Sequence, residues 1–206
     1  MIMKKHFSTL GAAALFGLLM LKGGAAEAAT LDPEGYIRDW VMLAPIALPE
    51  GSPAADALLK EQVKDEAALK PKDGDKIKIN GKELTWRKIT APTNYFDFNA
   101  ILKTVNDHAA GFMVTYVECE KDMPDVTMAV GSNDEGRIYF NGVDIYAFTE
   151  ARILELDADK GRVKLNKGVN VIVFKIINEQ GNWQGAMRFL DKDGAPVKNL
   201  KIKLSP

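Results

Sequence analysis

The chain has 206 residues, of which 27% are charged and 47% are hydrophobic, and its formal net charge is −1 at pH 7. This charge balance gives no electrostatic basis for binding nucleic acid or an anionic membrane surface, because both require a basic face. Cys119 is the only cysteine, so no disulfide bond forms within the chain.

The N-terminus has the pattern of a secretory signal peptide. Lys4 and Lys5 precede an apolar run over residues 7–21, and Ala26-Glu27-Ala28 matches the small-x-small cleavage pattern. The run is short for a transmembrane helix, and no second hydrophobic span follows it. We therefore expect a signal peptide over residues 1–28, a secreted or periplasmic protein that starts at Ala29, and no transmembrane segment after cleavage.

The next segment predicts one strand and one helix. Residues 40–43 read as a strand that ends before Pro45. Ser52-Pro53 is a favourable helix start, and apolar side chains recur at helical spacing until Lys70-Pro71, so we predict an amphipathic helix over residues 52–70. We expect residues 29–75 to pack this strand and helix onto a β-sandwich that is formed by residues 76–206.

From residue 76 onward the hydrophobic pattern has the period of β-strands. Asn80-Gly81 and Asn141-Gly142 are hairpin turns between alternating runs. The most apolar run, at 170–178, predicts a central strand. About ten short strands that are separated by turns of Gly, Asn and Asp predict an all-β sandwich or barrel. The further predicted strands are residues 76–79, 84–89, 112–119, 126–130, 137–141, 143–148, 152–156, 163–165, 184–190 and 200–204.

Three stretches carry a resemblance to a known fold family, namely residues 130–142, 165–175 and 181–194. The first is an acidic turn that leads into a strand and Asn-Gly, the second reads L-x-x-G-x-N before a buried strand, and the third begins Gly-Asn-Trp. In these stretches the chain resembles the galactose-binding-domain-like β-sandwich of exported bacterial proteins. The resemblance implies a jelly-roll sandwich and a carbohydrate-binding module.

The acidic turn also resembles part of the lectin domain of yeast flocculation adhesins, in which paired aspartates hold calcium. The resemblance implies a structural Ca²⁺ here, for which Asp134, Glu135 and Asp144 are the candidate ligands, with Asn133 beside them. Carboxylate and amide oxygens are the ligands that Ca²⁺ prefers. The alternative is that Asn133 and Asp134 hydrogen-bond to nearby backbone and only shape the turn.

A second candidate ligand-binding feature is Trp183, which is flanked by Asn182 and Gln184. An indole face suits the apolar side of a sugar ring, and amides suit its hydroxyl groups. Together with Asn133 and Asp134, these residues form the predicted ligand-binding set. The alternative is that Trp183 closes the end of the sandwich and donates its indole N–H to a carbonyl group.

These features predict an exported, non-catalytic binding module, and carbohydrate is the leading ligand. The alternative is a structural or protein-interaction sandwich that docks onto the cell envelope or onto another exported protein. Catalysis is disfavoured because the expected mature chain has one histidine, His108, and no recognisable pair of nucleophile and base. A small glycoside hydrolase is the third possibility, since it needs only two carboxylates in a concave pocket.

Overall fold

A computed structural model describes residues 31–206, so the predicted signal peptide lies outside the described residues. Within that range, no helix is long and apolar enough to cross a membrane. The described elements are β1 (Asp39–Ala47), α1 (Ala54–Leu59), β2 (Lys76–Ile79), β3 (Lys82–Thr85), β4 (Arg87–Thr90), β5 (Phe96–Asp97), α2 (Phe98–Leu102), β6 (Ala109–Cys119), β7 (Met123–Asn133), β8 (Gly136–Phe140), β9 (Val143–Phe148), β10 (Asp159–Leu165), β11 (Gly168–Asn178), β12 (Gln184–Leu190) and β13 (Lys201–Lys203).

The strands form an all-β sandwich, as the sequence predicts. The large sheet has the order β4-β1-β6-β11-β8-β9, with β13 also paired to β6, and the small sheet has the order β10-β7-β12-β5. All described strand pairs are antiparallel, and β2 and β3 form a separate hairpin. The long β6 and β11 occupy the centre of the large sheet and pair in register over eleven residues.

The main hydrophobic core lies between the two sheets. Alternate residues of β11, namely Ile172, Phe174 and Ile176, point into it and are fully buried. Met128 and Phe189 face them from the small sheet. This arrangement follows from the two-residue period of a strand, which places every second side chain on the same face.

The outer face of the large sheet is also apolar, and residues 48–86 cover it. We call this segment the cover; it contains α1, a short 3₁₀ turn at Glu66–Ala68 and the β2–β3 hairpin. Leu58, Val63 and Trp86 of the cover pack on Phe112 and Val173 of the sheet. Both faces of the central strands are therefore buried, which explains why β11 reads as a continuous apolar run.

The structure differs from several expectations about the elements. The helix predicted over residues 52–70 is wrong in its extent, because α1 ends at Leu59 and the chain then bends into the 3₁₀ turn. Residues 152–156 are not a strand; the Arg152 side chain instead binds Ser132 of β7 and Tyr146 of β9. The structure places β1, which precedes residue 75, as an inner strand of the large sheet, and it places β2–β3, which follows residue 75, in the cover.

The segment between β9 and β10 is fixed by Arg152. Its guanidinium lies 3.7 Å from the ring centroid of Phe148 and donates to the hydroxyl of Tyr146 at 2.8 Å, both on β9. The same group donates to the backbone oxygen of Ser132, on β7, at 3.1 Å, and pairs with Asp159, at the start of β10, at 2.7 Å. One side chain thus joins an edge of the large sheet to the small sheet.

Candidate functional site

The acidic turn predicted as a ligand site connects β7 of the small sheet to β8 of the large sheet. Residues 131–136 are all buried, so the turn is not an exposed loop. Gly131 is required there, because a Cβ atom at this position would lie 2.1 Å from the backbone oxygen of Glu155. The peptide bond between Asn133 and Asp134 is cis. The turn is therefore a tightly packed part of the sandwich.

Asp134 binds the loop that follows β11. Its Oδ2 accepts a hydrogen bond from the backbone N–H of Glu179 at 3.0 Å. Burial raises the pKa of the Asp134 carboxyl, and the backbone N–H groups of Glu179, Arg152 and Gln180 oppose this rise. These contacts agree with the alternative role of the residue, in which its carboxylate shapes the local backbone.

Glu135 is more deeply enclosed. Only about 2% of its surface is exposed, and its Oε2 has no hydrogen-bond partner. Burial is the main cause that raises the pKa of the Glu135 carboxyl to about 7, and the nearby charges of Glu179 and Asp134 add to it. Burial in the turn therefore accounts for the raised pKa of this carboxyl.

The structure does not bring the three predicted calcium ligands together. Asp144 lies on β9, where Arg137 binds its carboxylate at 2.6 Å, while Asp134 is bound to backbone groups of the loop after β11. Within residues 31–206, no group of three or more His, Cys, Asp or Glu side chains is placed to hold a metal ion. The expectation of a calcium site built on Asp134, Glu135 and Asp144 is therefore wrong in its ligand set.

Trp183 is not an exposed platform, and this expectation is also corrected. The side chain is 0% exposed, and its ring stacks on Phe98 of α2 with a centroid distance of 4.2 Å and an interplanar angle of 22°. Its indole N–H donates to the backbone oxygen of Ile176 at 3.3 Å. Gly111 makes room for both rings, since a Cβ atom there would lie 2.6 Å from each of them.

The remaining predicted ligand residues lie near this end of the sandwich. Asn133 pairs in register with Gln184 across β7 and β12, and the Gln184 amide donates to Asp97 at 2.9 Å. Asn133 is buried, and its Oδ1 has no hydrogen-bond partner. Asn182 is exposed. The structure therefore leaves Asn182 and part of Gln184 accessible from the predicted ligand-binding set.

A buried ion pair that the sequence analysis missed lies under the cover. Lys175 of β11 and Glu66 of the 3₁₀ turn are both 0% exposed, and Nζ lies 3.0 Å from Oε1. The ammonium group also donates to the backbone oxygens of Leu58 and Lys60, and Tyr139 donates to Oε2 of Glu66. The sequence signal for this ion pair is the lysine within the apolar run 171–177, because a charged side chain in a buried strand needs a buried partner.

A second feature that the sequence analysis missed is a cluster of exposed apolar side chains around β9. Val143 and Ile145 on β9 are 60% and 38% exposed, and Ile153, which follows Arg152, is 80% exposed. Leu59 is 53% exposed, and its backbone oxygen accepts a hydrogen bond from Arg137, which also binds Asp144 on the outer face of β9. We call Leu59, Val143, Ile145 and Ile153 the β9 patch.

The geometry thus offers a buried polar turn, a buried tryptophan and an exposed apolar patch beside a sheet edge. Neither of the two features that were predicted to bind a ligand is exposed in the way its role requires. The sequence matches no family model and no curated protein in comparisons with known proteins.

Proposed function

We propose that this chain is an exported, non-catalytic β-sandwich that binds another protein through the β9 patch. The observation that carries the proposal is the concentration of exposed large apolar side chains at one edge of the large sheet. Within residues 31–206, four of the seven large apolar residues that are exposed belong to the patch. Val143 and Ile145 are exposed on an edge strand, and exposed apolar surface is typical of sites where proteins meet.

The absence of an exposed tryptophan face supports this choice over carbohydrate binding. Trp40, Trp86 and Trp183 are 0%, 3% and 0% exposed. Since the predicted sugar platform depended on Trp183, its burial shifts the balance to the protein-interaction alternative. Export rests on the signal-peptide pattern of residues 1–28, and the galactose-binding-like type of sandwich rests on the three sequence stretches named above.

A photo-crosslinking residue at Val143, in the cell that makes the protein, tests the proposal. The matched control places the same residue at Val105, which is 66% exposed, follows α2 and is not one of the patch residues. We expect a discrete protein adduct from position 143 that Ile153→Asp suppresses, and no such adduct from position 105. Equal adducts from both positions, or none from position 143, would overturn the proposal.

Carbohydrate binding at the loop end is the second candidate. The exposed Asn182 and the amide of Gln184 beside Asp97 favour it, because amides and carboxylates suit sugar hydroxyl groups. Isothermal titration against a glycan panel, with and without calcium, tests this candidate. Binding that is lost in Asn182→Ala and kept in Val143→Lys would favour it, whereas no heat with any glycan would remove it.

A further inference from the structure

The free edge of β9 differs from the other sheet edges in the described part of the chain. β9 pairs only with β8, and none of its residues is a lysine or arginine. Lysine and arginine side chains on an edge strand discourage pairing with another chain. Each of the other edge strands longer than two residues carries such side chains, namely Arg87 and Lys88 on β4, Lys160, Arg162 and Lys164 on β10, and Lys201 and Lys203 on β13.

The pairing of β9 with β8 fixes which of its side chains share a face. Register partners lie on the same face, and the partners of Val143, Tyr146 and Phe148 are the inward-facing positions 140, 138 and 136 of β8. Asp144 and Ala147 lie on the opposite face, opposite Tyr139 and Arg137. Ile145 has no register partner on β8. The five residues of β9 that do have partners alternate between the two faces of the sheet, and this alternation is symmetric about Tyr146.

We propose that the partner at this edge is a second copy of this chain, with the two β9 strands antiparallel about a two-fold axis at Tyr146. The inference rests on the proposed function, because it names the partner of the β9 patch. A two-fold axis perpendicular to a sheet pairs residues that share a face, and the symmetric face pattern of β9 meets this condition. Two-fold dimers are the commonest symmetric oligomers.

The side chains that this pairing brings together are compatible. Val143 lies opposite Phe148 of the second copy, and apolar–aromatic pairs stabilise antiparallel strands. Asp144 lies opposite Ala147, so the one charge on the strand does not meet its own copy. Beyond the strand ends, Glu150 lies opposite Asn141, again without like charges. The skipped Ile145 lies beside the axis, where its exposed side chain contacts the other copy.

Sedimentation velocity of the mature protein over a wide concentration range tests the inference. We expect a monomer–dimer equilibrium whose dissociation constant rises at least tenfold in Val143→Lys, because two lysines would then flank the paired strands. The matched control is Val105→Lys, which adds the same charge at a similarly exposed valine and should leave the equilibrium unchanged. A wild-type protein that stays monomeric at every concentration would overturn self-pairing.

A mixed disulfide tests the register. Asp144→Cys protein and Ala147→Cys protein, mixed under mild oxidation, should form a mixed disulfide faster than either protein forms a disulfide with itself. The native Cys119 is buried and is present in both. A dimer that crosslinks without this preference would overturn the proposed pairing. If the wild type is monomeric while the photo-crosslinker at position 143 captures a different protein, the proposed function stands and this inference fails.

Discussion

The large sheet is covered on its two faces by layers of different chemistry. On the inner face, the small sheet contributes side chains such as Met128 and Phe189 to a continuous apolar core. On the outer face, the cover also buries apolar surface, but the buried Lys175–Glu66 pair and the hydroxyl of Tyr139 lie at its centre. One layer is held by apolar packing, and the other is held partly by directional polar contacts.

This difference has an energetic meaning. Apolar burial is non-directional, so it stabilises the inner layer without selecting one position of the small sheet. The ammonium group of Lys175 must keep three acceptors, which are the carboxylate of Glu66 and the backbone oxygens of Leu58 and Lys60. A buried charge that loses these acceptors is costly, so we expect the pair to fix the position of the cover on the sheet.

The largest expected effect comes from breaking the inner layer. Trp183→Ala should lower the free energy of unfolding by about 4–5 kcal/mol, because the ring is fully buried against Phe98 and its loss leaves a cavity. Urea denaturation that is followed by circular dichroism measures it. The matched control is Trp86→Ala in the cover. A loss of less than about 1 kcal/mol in the free energy of unfolding of Trp183→Ala would contradict the buried, stacked position of the ring.

Breaking the outer layer comes next. Lys175→Met should cost about 3–4 kcal/mol, since it leaves the carboxylate of Glu66 buried without its cation. The double variant Lys175→Met/Glu66→Leu should recover most of this loss, because it removes both charges and keeps the volume. Denaturant titration of all three proteins at one pH measures the coupling. A double variant that is no more stable than the single one would show that the pair does not act as a unit.

The third expected effect depends on pH and concerns the turn where the two sheets meet. Folded Glu135 holds its proton up to about pH 7, whereas the unfolded residue loses it near the ordinary value of 4.5. Between these two values the unfolded state binds fewer protons, so the stability of the wild type falls as pH rises. Relative to the wild type, Glu135→Gln should gain about 3 kcal/mol between pH 4 and pH 8.

Thermal denaturation of the wild type and Glu135→Gln at several pH values measures this difference. The exposed Glu150→Gln is the control and should show no such trend. A stability difference that stays constant from pH 4 to pH 8 would mean that the Glu135 carboxyl ionises at the same pH in the folded and unfolded chains.

The smallest expected effect refines the description of the outer layer. Tyr139→Phe removes the hydroxyl that donates to Glu66 at 3.0 Å and keeps the ring, so it should cost about 1–2 kcal/mol. Tyr116→Phe is the control, because its hydroxyl donates to a neutral backbone oxygen of Pro71 and should cost less. Denaturant midpoints with unchanged slopes measure both. A larger loss at Tyr116 would contradict a central role of Glu66.

Local sequence patterns predicted most of the strands. The predicted bounds of β9 and β12 agree with the structure, because alternation and turn residues lie within a few positions of each other in the chain. The 52–70 helix failed for the opposite reason. Its helical spacing continues to Leu69, but the chain leaves the helix at Lys60 so that Glu66 reaches Lys175, which is 109 residues away.

The sequence did not show that Trp183 is buried, because burial depends on distant parts of the chain. Trp183 is surrounded in sequence by Gly, Asn and Gln, which are typical of an exposed loop. Its real neighbours are Phe98 and Gly111, which precede it by more than seventy residues. Asp144 differs, because its partner Arg137 is only seven residues away, on the adjoining strand of the same hairpin. The pattern predicted where the strands lie, and long-range packing decided which side chains stay exposed.

Arg152 has a consequence for local opening of the fold. Because its guanidinium contacts β9, β7 and β10 at once, the free edge of β9 should not open independently of the small sheet. Amide hydrogen exchange would then show β9 and β10 with similar opening free energies, as one cooperative unit. In Arg152→Met we expect β9 and β10 to have different opening free energies. The edge of β9 would then open more readily and become accessible to other chains.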